Sequence, residues 1–396
     1  MPSSNPNHES AGGDVAMLFN GDEVYGIGTI VKLYAVGMPN MSFVAPGEGP
    51  MVDWLKANGN RVDVVPGLVN FAEGGAALLT VAKMPAVMLE ARRTAARFDE
   101  LLRPRCIRIV HAQWRAQQLI AGFMRRLGYQ SVWQINNTMN PNRLFSLGPK
   151  LNHRLAKWGA DLLLPASAAI GKNWLGSGVP SITIHNAAIP KFSHPNELPE
   201  QPIRCLIAGR LEHLKGHHLA VEAVVNARQA GLNVCLDVYG GPLDDNPYAD
   251  ELRSKISAAQ CQDYIHLLGF DSALRDKHQH YHLGLQCRID VEPCSLWVCE
   301  ALVDGLPLVA SATGGTPELV EDGVTGLLYR GGDSADLTEK LLKLARDPIR
   351  LRGMRARAFE RGNKYFSLDE FIRQTLAAYD SLPQTAETHS QGVDGS

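Results

Sequence analysis

The sequence predicts an α/β chain of two tandem domains, each a parallel sheet covered on both faces by helices, the two facing each other across a cleft. Three observations carry this. The chain has 396 residues, enough for two domains at roughly 100 to 200 residues each. Short apolar runs bounded by turn residues alternate with longer helical patterns along almost the whole length, and the crossovers are too long for hairpins. The alternation breaks once, at Pro190 to Pro202, a stretch with four prolines and no periodic apolar pattern, and then restarts.

In the first half the run Val15 to Phe19 leads into the glycine-rich Tyr25-Gly26-Ile27-Gly28-Thr29 and then a helix-compatible segment, Ile30 to Val36: strand, glycine loop, helix. Further strand-like runs follow at Met41 to Ala45, Arg61 to Val65, Ile107 to His111, Ser131 to Ile135, Leu162 to Pro165 and Ile182 to Ile184. Helical patterns lie between them at Met51 to Ala57, Ala76 to Leu102, Arg115 to Leu127, Lys150 to Trp158 and Ala169 to Leu175. The second half repeats the scheme. Its strands are expected at Ile203 to Ala208, Val234 to Val238, Ile265 to Leu268, Leu283 to Gln286, Pro307 to Ala310 and Gly326 to Tyr329. Its helices are expected at Leu219 to Ala230, Ala249 to Gln260, Leu296 to Asp304, Thr316 to Val320 and Ala335 to Arg346, with a last one at Asp369 to Ser381. The resulting division is a disordered segment 1–14, a first domain 15–190, a linker 191–202, a second domain 203–365, a C-terminal helix 366–383 that crosses back to the first domain, and a disordered tail 384–396.

Composition excludes several classes. With 45% apolar and 20% charged residues the chain is globular. It contains no run of 18 apolar residues and no charged-then-apolar leader, so neither a membrane span nor a secretory signal is expected. The seven cysteines are scattered, with no C-x-x-C pair, and read as reduced, buried small hydrophobes of a cytoplasmic protein. Net charge is −2, but residues 1–190 hold 18 Lys+Arg against 12 Asp+Glu, and residues 191–396 hold 21 against 29. Residues 101–160 contain ten cations and no acid. Either these are solvated helix faces, or they meet an anionic partner: an acidic lipid surface, an anionic acceptor or nucleic acid.

Chemistry concentrates in the second half. Gly209-Arg210-Leu211-Glu212-His213-Leu214-Lys215-Gly216 follows a strand and precedes a helix. Its glycines permit a tight turn, and Arg210 and Lys215 can reach an anion that also sees a helix N-terminus, which suits a diphosphate. Farther on, Glu292-Pro293-Cys294-Ser295-Leu296-Trp297-Val298-Cys299-Glu300 carries two carboxylates eight positions apart. One stands in a loop and one about two helical turns in, so the loop must fold back for both to line one pocket. Glu300 sits among Leu296, Val298, Ala301 and Leu302, where an unpaired carboxylate is costly; ribose hydroxyls would pair it. The turn Gly314-Gly315-Thr316 offers backbone donors to a phosphate or to sugar hydroxyls.

Taken together, Gly209-Arg210 with Lys215-Gly216, Glu-x7-Glu, Gly314-Gly315 with Glu318, and Asp322-Gly323-x-x-Gly326 resemble the GT-B glycosyltransferases of family 4, the retaining type, within the glycosyl transferases group 1. The resemblance covers the whole second domain in order and spacing. It is fainter in the first, where Gly26 and Gly28 look like that family's acceptor-side glycine loop and His111 stands where the family often has a histidine at a strand end. Cys294-Ser295 departs from the frequent Phe-Gly, and Asn186-Ala187-Ala188-Ile189 from the usual Asn-Gly-Val-Asp.

The resemblance implies a GT-B fold and a metal-independent hexosyltransferase that uses a nucleotide-diphosphate sugar, without further cofactor, and acts on an acceptor sugar, glycolipid or polysaccharide. It implies that Arg210 and Lys215 hold the diphosphate, Glu300 the ribose and Glu292 the sugar hydroxyls. Ser295 and Leu296 belong to the same donor-binding turn and Gly26 and Gly28 to the facing loop; His111 is the candidate for assisting at the reacting centre, the alternative being a buried structural histidine. No Asp-x-Asp or one-faced His/Cys set appears that would call for a metal. The alternatives are a sugar-nucleotide epimerase or phosphorylase on the same architecture, or a non-catalytic nucleotide-sugar sensor. A cytoplasmic enzyme, docked peripherally on the inner membrane leaflet through the basic stretch and binding no nucleic acid, is the expected setting.

Overall fold

The computed structural model describes residues 12–22, 26–69, 77–138, 147–199 and 201–383. The first half runs β1 (Val15–Leu18), α1 (Gly26–Gly37), β2 (Ser42–Ala45), α2 (Pro50–Ala57), β3 (Arg61–Val64), α3 (Ala77–Leu102), β4 (Ile109–Ala112), α4 (Arg115–Arg125), β5 (Gln130–Ile135), α5 (Leu147–Gly159), β6 (Leu162–Pro165) and α6 (Ala168–Gly171). The second runs β7 (Ile203–Ala208), α7 (His217–Gln229), β8 (Val234–Tyr239), α8 (Pro247–Ala258), β9 (Ile265–Gly269), α9 (Leu274–Lys277), β10 (Leu283–Gln286), α10 (Leu296–Val303), β11 (Leu308–Ser311), α11 (Thr316–Leu319), β12 (Gly326–Tyr329), α12 (Ser334–Ala345), α13 (Pro348–Tyr365) and α14 (Leu368–Asp380).

Both sheets are six-stranded and parallel, in the orders β3-β2-β1-β4-β5-β6 and β12-β11-β10-β7-β8-β9. Strands buried on both faces read as continuous apolar runs, as Val15-Ala16-Met17-Leu18 does, and that is why the runs were visible in the sequence. Each sheet reverses direction of growth once, between β1 and β4 and between β7 and β10. At such a switch point neighbouring loops part and leave a crevice beyond the carboxyl ends of the strands.

Four apolar clusters fill the two faces of the two sheets. The cluster over α1 includes Leu368, Phe371, Ile372, Ala378 and Tyr379 of α14, so the last helix packs on the first domain. The fit is tight: a Cβ on Gly37 would lie 2.3 Å from Ile372 Cγ1. The crossing is pinned at Ala188, whose N–H donates to Phe366 O over 2.8 Å. Between the sheets, residues 191–199 form no helix or strand and lie along the second domain, Lys191 pairing with Asp276 and Pro199 O accepting from His282 Nε2.

Some local expectations change. Ile182 to Ile184 runs beside β6 and bonds to it through Ile182 N–H to Leu163 O and Ile184 N–H to Pro165 O, but only a single bridge, Leu163 with Ser181, forms. Helix α13 was not expected; its five arginines and one lysine mask a buried face of Leu351, Met354, Arg355, Ala358 and Gly362 at helical spacing. Of the segment 1–14, residues 1–11 lie outside the described residues, and 12–14 form a turn in which Asp14 pairs with Arg108 at 2.9 Å. The tail 384–396 is also outside the described residues. All seven cysteines are free, but Cys106 is exposed and Cys235 half-buried rather than buried.

Candidate active site

The switch point of the second sheet is built by the loops that leave β7 and β10. The β7 loop turns through Gly216, whose φ of 69° is left-handed and whose added Cβ would lie 2.0 Å from Cys287 O. Only glycine fits there, and its place against the end of β10 carries Lys215 over the next loop. Lys215 Nζ lies 3.4 Å from Glu292 Oε2, and Arg288 Nη1 lies 3.7 Å from the same oxygen. Arg288 also pairs with Asp290 at 2.5 Å. Burial works against the Arg288 charge, yet the Asp290 hydrogen bond and the Glu292, Asp290 and Glu212 carboxylates together push its pKa up.

Glu292 is 5% exposed. Its backbone is gripped from the other side by the glycine turn: Gly315 N–H donates to Glu292 O over 2.8 Å, and at Gly314, with φ 54°, a Cβ would come within 2.1 Å of that carbonyl. Lys215, Arg288, Glu292 and the Gly314-Gly315 turn therefore form one unit. Arg210 is less committed: its side chain is 60% exposed and, among the described residues, pairs with Glu212 alone, at 3.3 Å.

Ser295 is the N-cap of α10, its Oγ accepting the Val298 N–H over 3.4 Å. Glu300 lies one turn farther in. Burial raises its pKa, opposed by Arg275, and no hydrogen bond or ion pair forms at its carboxylate among the described residues. Its neighbours are occupied with one another. Arg275 holds Asp304 through two bonds of 3.0 and 2.7 Å and reaches Ile189 O just before the linker, and His278 Nδ1 is 2.9 Å from Asp304. The two carboxylates of the Glu-x7-Glu pair thus have different surroundings: Glu292 is buried and paired, whereas Glu300 is half-buried and open to a partner.

The first domain meets this region at several points. Leu296 reaches across to it, lying 3.7 Å from where a Gly26 Cβ would stand. Gly26 and Gly28, expected in a loop, are instead in the first turn of α1, since the helix begins at Gly26 rather than Ile30. Glu318 accepts the N–H groups of Ala168 and Ala169, both over 2.8 Å, and pairs with His185 at 2.9 Å, so the second domain caps α6 of the first. Asn186 Nδ2 donates to Cys294 O over 2.8 Å.

His111 is not brought to this cleft. It is 0% exposed within β4, with Nδ1 2.5 Å from Tyr379 Oη and Nε2 3.0 Å from Gln134 Oε1. Burial lowers its pKa to about 3, so the ring is neutral, donating from Nε2 to the amide oxygen and accepting the tyrosine O–H. Its expected place at the reacting centre gives way to a role in fixing α14 to the first sheet.

Sequence reasoning missed Arg288, whose only signal was a cation four positions before Glu292, and gave Glu318 no role. It also missed a cluster of amide side chains at the first switch point: Asn20 beyond β1, Gln113 beyond β4, Asn136 beyond β5, and Gln117 and Gln118 in α4. These lie in four separate segments that only the sheet brings together. Among the described residues no group of three His, Cys, Asp or Glu is placed to hold a metal ion.

Comparison with known proteins bears on the second domain above all. Residues 189–364 match the family described as glycosyl transferases group 1. The putative colanic acid biosynthesis glycosyltransferase WcaL of Salmonella typhimurium is 27% identical over 235 residues, 56% of this chain and 57% of that protein. A D-inositol 3-phosphate glycosyltransferase of Catenulispora acidiphila is 28% identical over 198 residues, 46% of this chain and 45% of that protein. The chain spans about half the length of the curated relatives it matches. Among solved structures, Anabaena HepE in complex with UDP and glucose superposes with a TM-score of 0.74 at 17% identity, covering 93% of this chain and 100% of that one. That likeness establishes the fold as GT-B, two parallel-sheet domains facing across a cleft.

Proposed function

We propose that the chain is a group 1 glycosyltransferase that moves a hexosyl group from a nucleotide-diphosphate sugar to an acceptor hydroxyl, with retention at the anomeric carbon and without a metal ion. The observation that carries this is the Lys215, Arg288 and Glu292 unit at the switch point of the second sheet, within the segment that matches the family. Departure of a nucleoside diphosphate develops negative charge on its oxygens. Lys215 and Arg210 lie on the loop that would meet them and supply fixed positive charge in place of a cation. Glu292, held between cations and a glycine turn, takes the hydroxyls of the donor sugar. Glu300, half-buried and without a hydrogen-bond partner among the described residues, takes the ribose hydroxyls, which would supply the hydrogen bonds it lacks. The first turn of α10 from Ser295 and Leu296 completes the donor site, and α1 at Gly26 and Gly28 closes it from the first domain. The acceptor proton passes to a donor phosphate oxygen, with transfer driven by positioning and charge.

Names among the relatives, which mention colanic acid biosynthesis, D-inositol 3-phosphate and a phosphatidylinositol monomannoside, support an acceptor that is a sugar, glycolipid or polysaccharide. No helix among the described residues is long and apolar enough to cross a membrane. We place the enzyme at the cytoplasmic face, in peripheral contact with an anionic leaflet. The test is thermal shift against UDP-, GDP- and ADP-sugars, starting from UDP-glucose, followed by donor hydrolysis and transfer with and without EDTA. A donor at 100 times its Kd should stabilise by about 2.7 kcal/mol. No shift and no turnover with any nucleotide sugar would overturn the assignment, and activity lost to EDTA and restored by Mg²⁺ would overturn metal independence.

A further inference from the structure

The first sheet's switch point carries a second constellation. Asn20 follows β1, Gln113 follows β4, Asn136 follows β5, and Gln117 lies in the first turn of α4. Strands β1 and β4 are direct neighbours, with Leu18 opposite Ala112, so the residues beyond them converge at the carboxyl edge of the sheet. That edge faces the donor domain: α1, which begins six residues after Asn20, touches Leu296 in the turn that follows Glu292.

The amides are paired in a particular way. Gln117 Nε2 donates to Asn20 Oδ1 over 2.6 Å, and Asn136 Nδ2 donates to Gln113 Oε1 over 3.1 Å. Each pair spends one end of an amide on a neighbour and leaves the other end, Gln117 Oε1 and Asn136 Oδ1, buried with no hydrogen-bond partner. Gln117 is wholly buried. A buried acceptor without a donor is costly, and such groups in folded proteins call for water or a ligand. What satisfies them must donate. A hydroxyl does so and can accept in turn, whereas a carboxylate or phosphate dianion only accepts and would face two oxygens.

We propose that Asn20, Gln113, Gln117 and Asn136 form the acceptor subsite and select an uncharged, polyhydroxylated sugar ring over one bearing a carboxylate or phosphate where they grip it. This rests on the glycosyltransferase assignment for its catalytic meaning, but the binding can be read without catalysis. Saturation-transfer NMR on the full chain should detect methyl hexosides (gluco, manno, galacto and N-acetylglucosamine) and favour at least one over its uronate by roughly tenfold, the lower end of what leaving a buried polar group without a partner costs. Gln117→Met and Asn136→Leu should each abolish that signal. In turnover they should raise the acceptor KM about tenfold, with donor KM and donor hydrolysis by water within twofold of wild type. Should Gln117→Met fail to fold, Asn136→Leu, at a half-buried position, carries the test alone. Unchanged hexoside binding in folded variants, absence of hexoside binding by the wild type, or equal binding of the uronates would overturn the subsite. Hexoside binding lost in the variants, with no turnover of any nucleotide sugar, would instead overturn the enzymatic assignment and leave the subsite standing.

Discussion

Lys215 and Arg288 approach the same oxygen of Glu292 from two loops, while Arg210 stands in solvent, so these three cations should respond differently to removal. Arg210→Ala and Lys215→Ala should each lower kcat on the order of 10²-fold, since a donor aimed at a leaving oxyanion contributes much. Arg210→Ala, which breaks an exposed pair, should do so with little loss of stability, whereas Lys215→Ala leaves the buried Glu292 to Arg288 alone and should cost stability as well. Turnover within threefold of wild type in either variant would remove it from the diphosphate site. The two glutamates should also separate. Glu292→Gln is expected to act on kcat at saturating donor and Glu300→Gln on donor KM. Glu300 carries a stability signature as well. Burial raises its folded pKa, so its protonated form is the stable one: stability is fully present below the unfolded pKa and falls as pH rises through the folded value. Glu300→Gln should therefore raise the melting temperature of the donor-free protein at pH 7, with the gain shrinking toward pH 4, even as donor binding weakens. A variant less stable than wild type at pH 7 would mean that Glu300 is paired in the folded chain.

At the scale of elements, α14 is the clearest case of sequence order and spatial order parting. It follows the second domain in the chain but fills the α1 face of the first, where Ile372 presses on Gly37 and Tyr379 meets His111. Ile372→Ala should cost about 2 to 5 kcal/mol, the range for emptying a packed site, and the loss should appear in the unfolding of the first domain. Exchange protection falling in the second domain alone would contradict this docking. His111 adds a pH dependence. It is neutral when folded, with a pKa near 3, and titrates near 6.5 when unfolded, so stability drops as pH falls from about 6.5 toward 3. In His111→Gln that slope should be shallower by up to one proton; an unchanged slope would mean that the ring titrates normally. Elements with strong apolar periodicity were legible in the sequence, as were the motif loops, because parallel strands and glycine turns leave marks in short windows. What was not legible depends on distance. The burial of His111 comes from a helix 268 positions away, α13 hides its inner face among arginines, and the amide cluster exists only once β1, β4 and β5 lie side by side.

Across the whole molecule the charge is polar, positive in the first half and negative in the second, but the structure changes which cations can act outward. Of the ten in 101–160, Arg103, Arg105, Arg108 and Arg125 are paired with Asp99, Asp63, Asp14 and Asp161, Arg115 is half-buried at the start of α4, and Arg126 lies over the Trp158 ring. Arg143 is outside the described residues. The cations left facing solvent are Lys150, Arg154 and Lys157, spaced to share one face of α5, with Leu151 40% exposed beside them. That face is where contact with an anionic leaflet is expected. Each Lys or Arg near such a surface contributes about 1 kcal/mol within a Debye length of about 8 Å at physiological salt. Reversing three of them should therefore abolish binding, while Arg125→Glu, which breaks an internal pair, should affect stability more than lipid. The measurement is co-sedimentation with phosphatidylcholine vesicles that contain or lack phosphatidylglycerol. Binding should require phosphatidylglycerol, vanish in high salt and be lost in the triple variant Lys150→Glu, Arg154→Glu, Lys157→Glu. Recovery in the supernatant that is the same with either vesicle would leave α5 a solvated face and make a water-borne acceptor the better substrate.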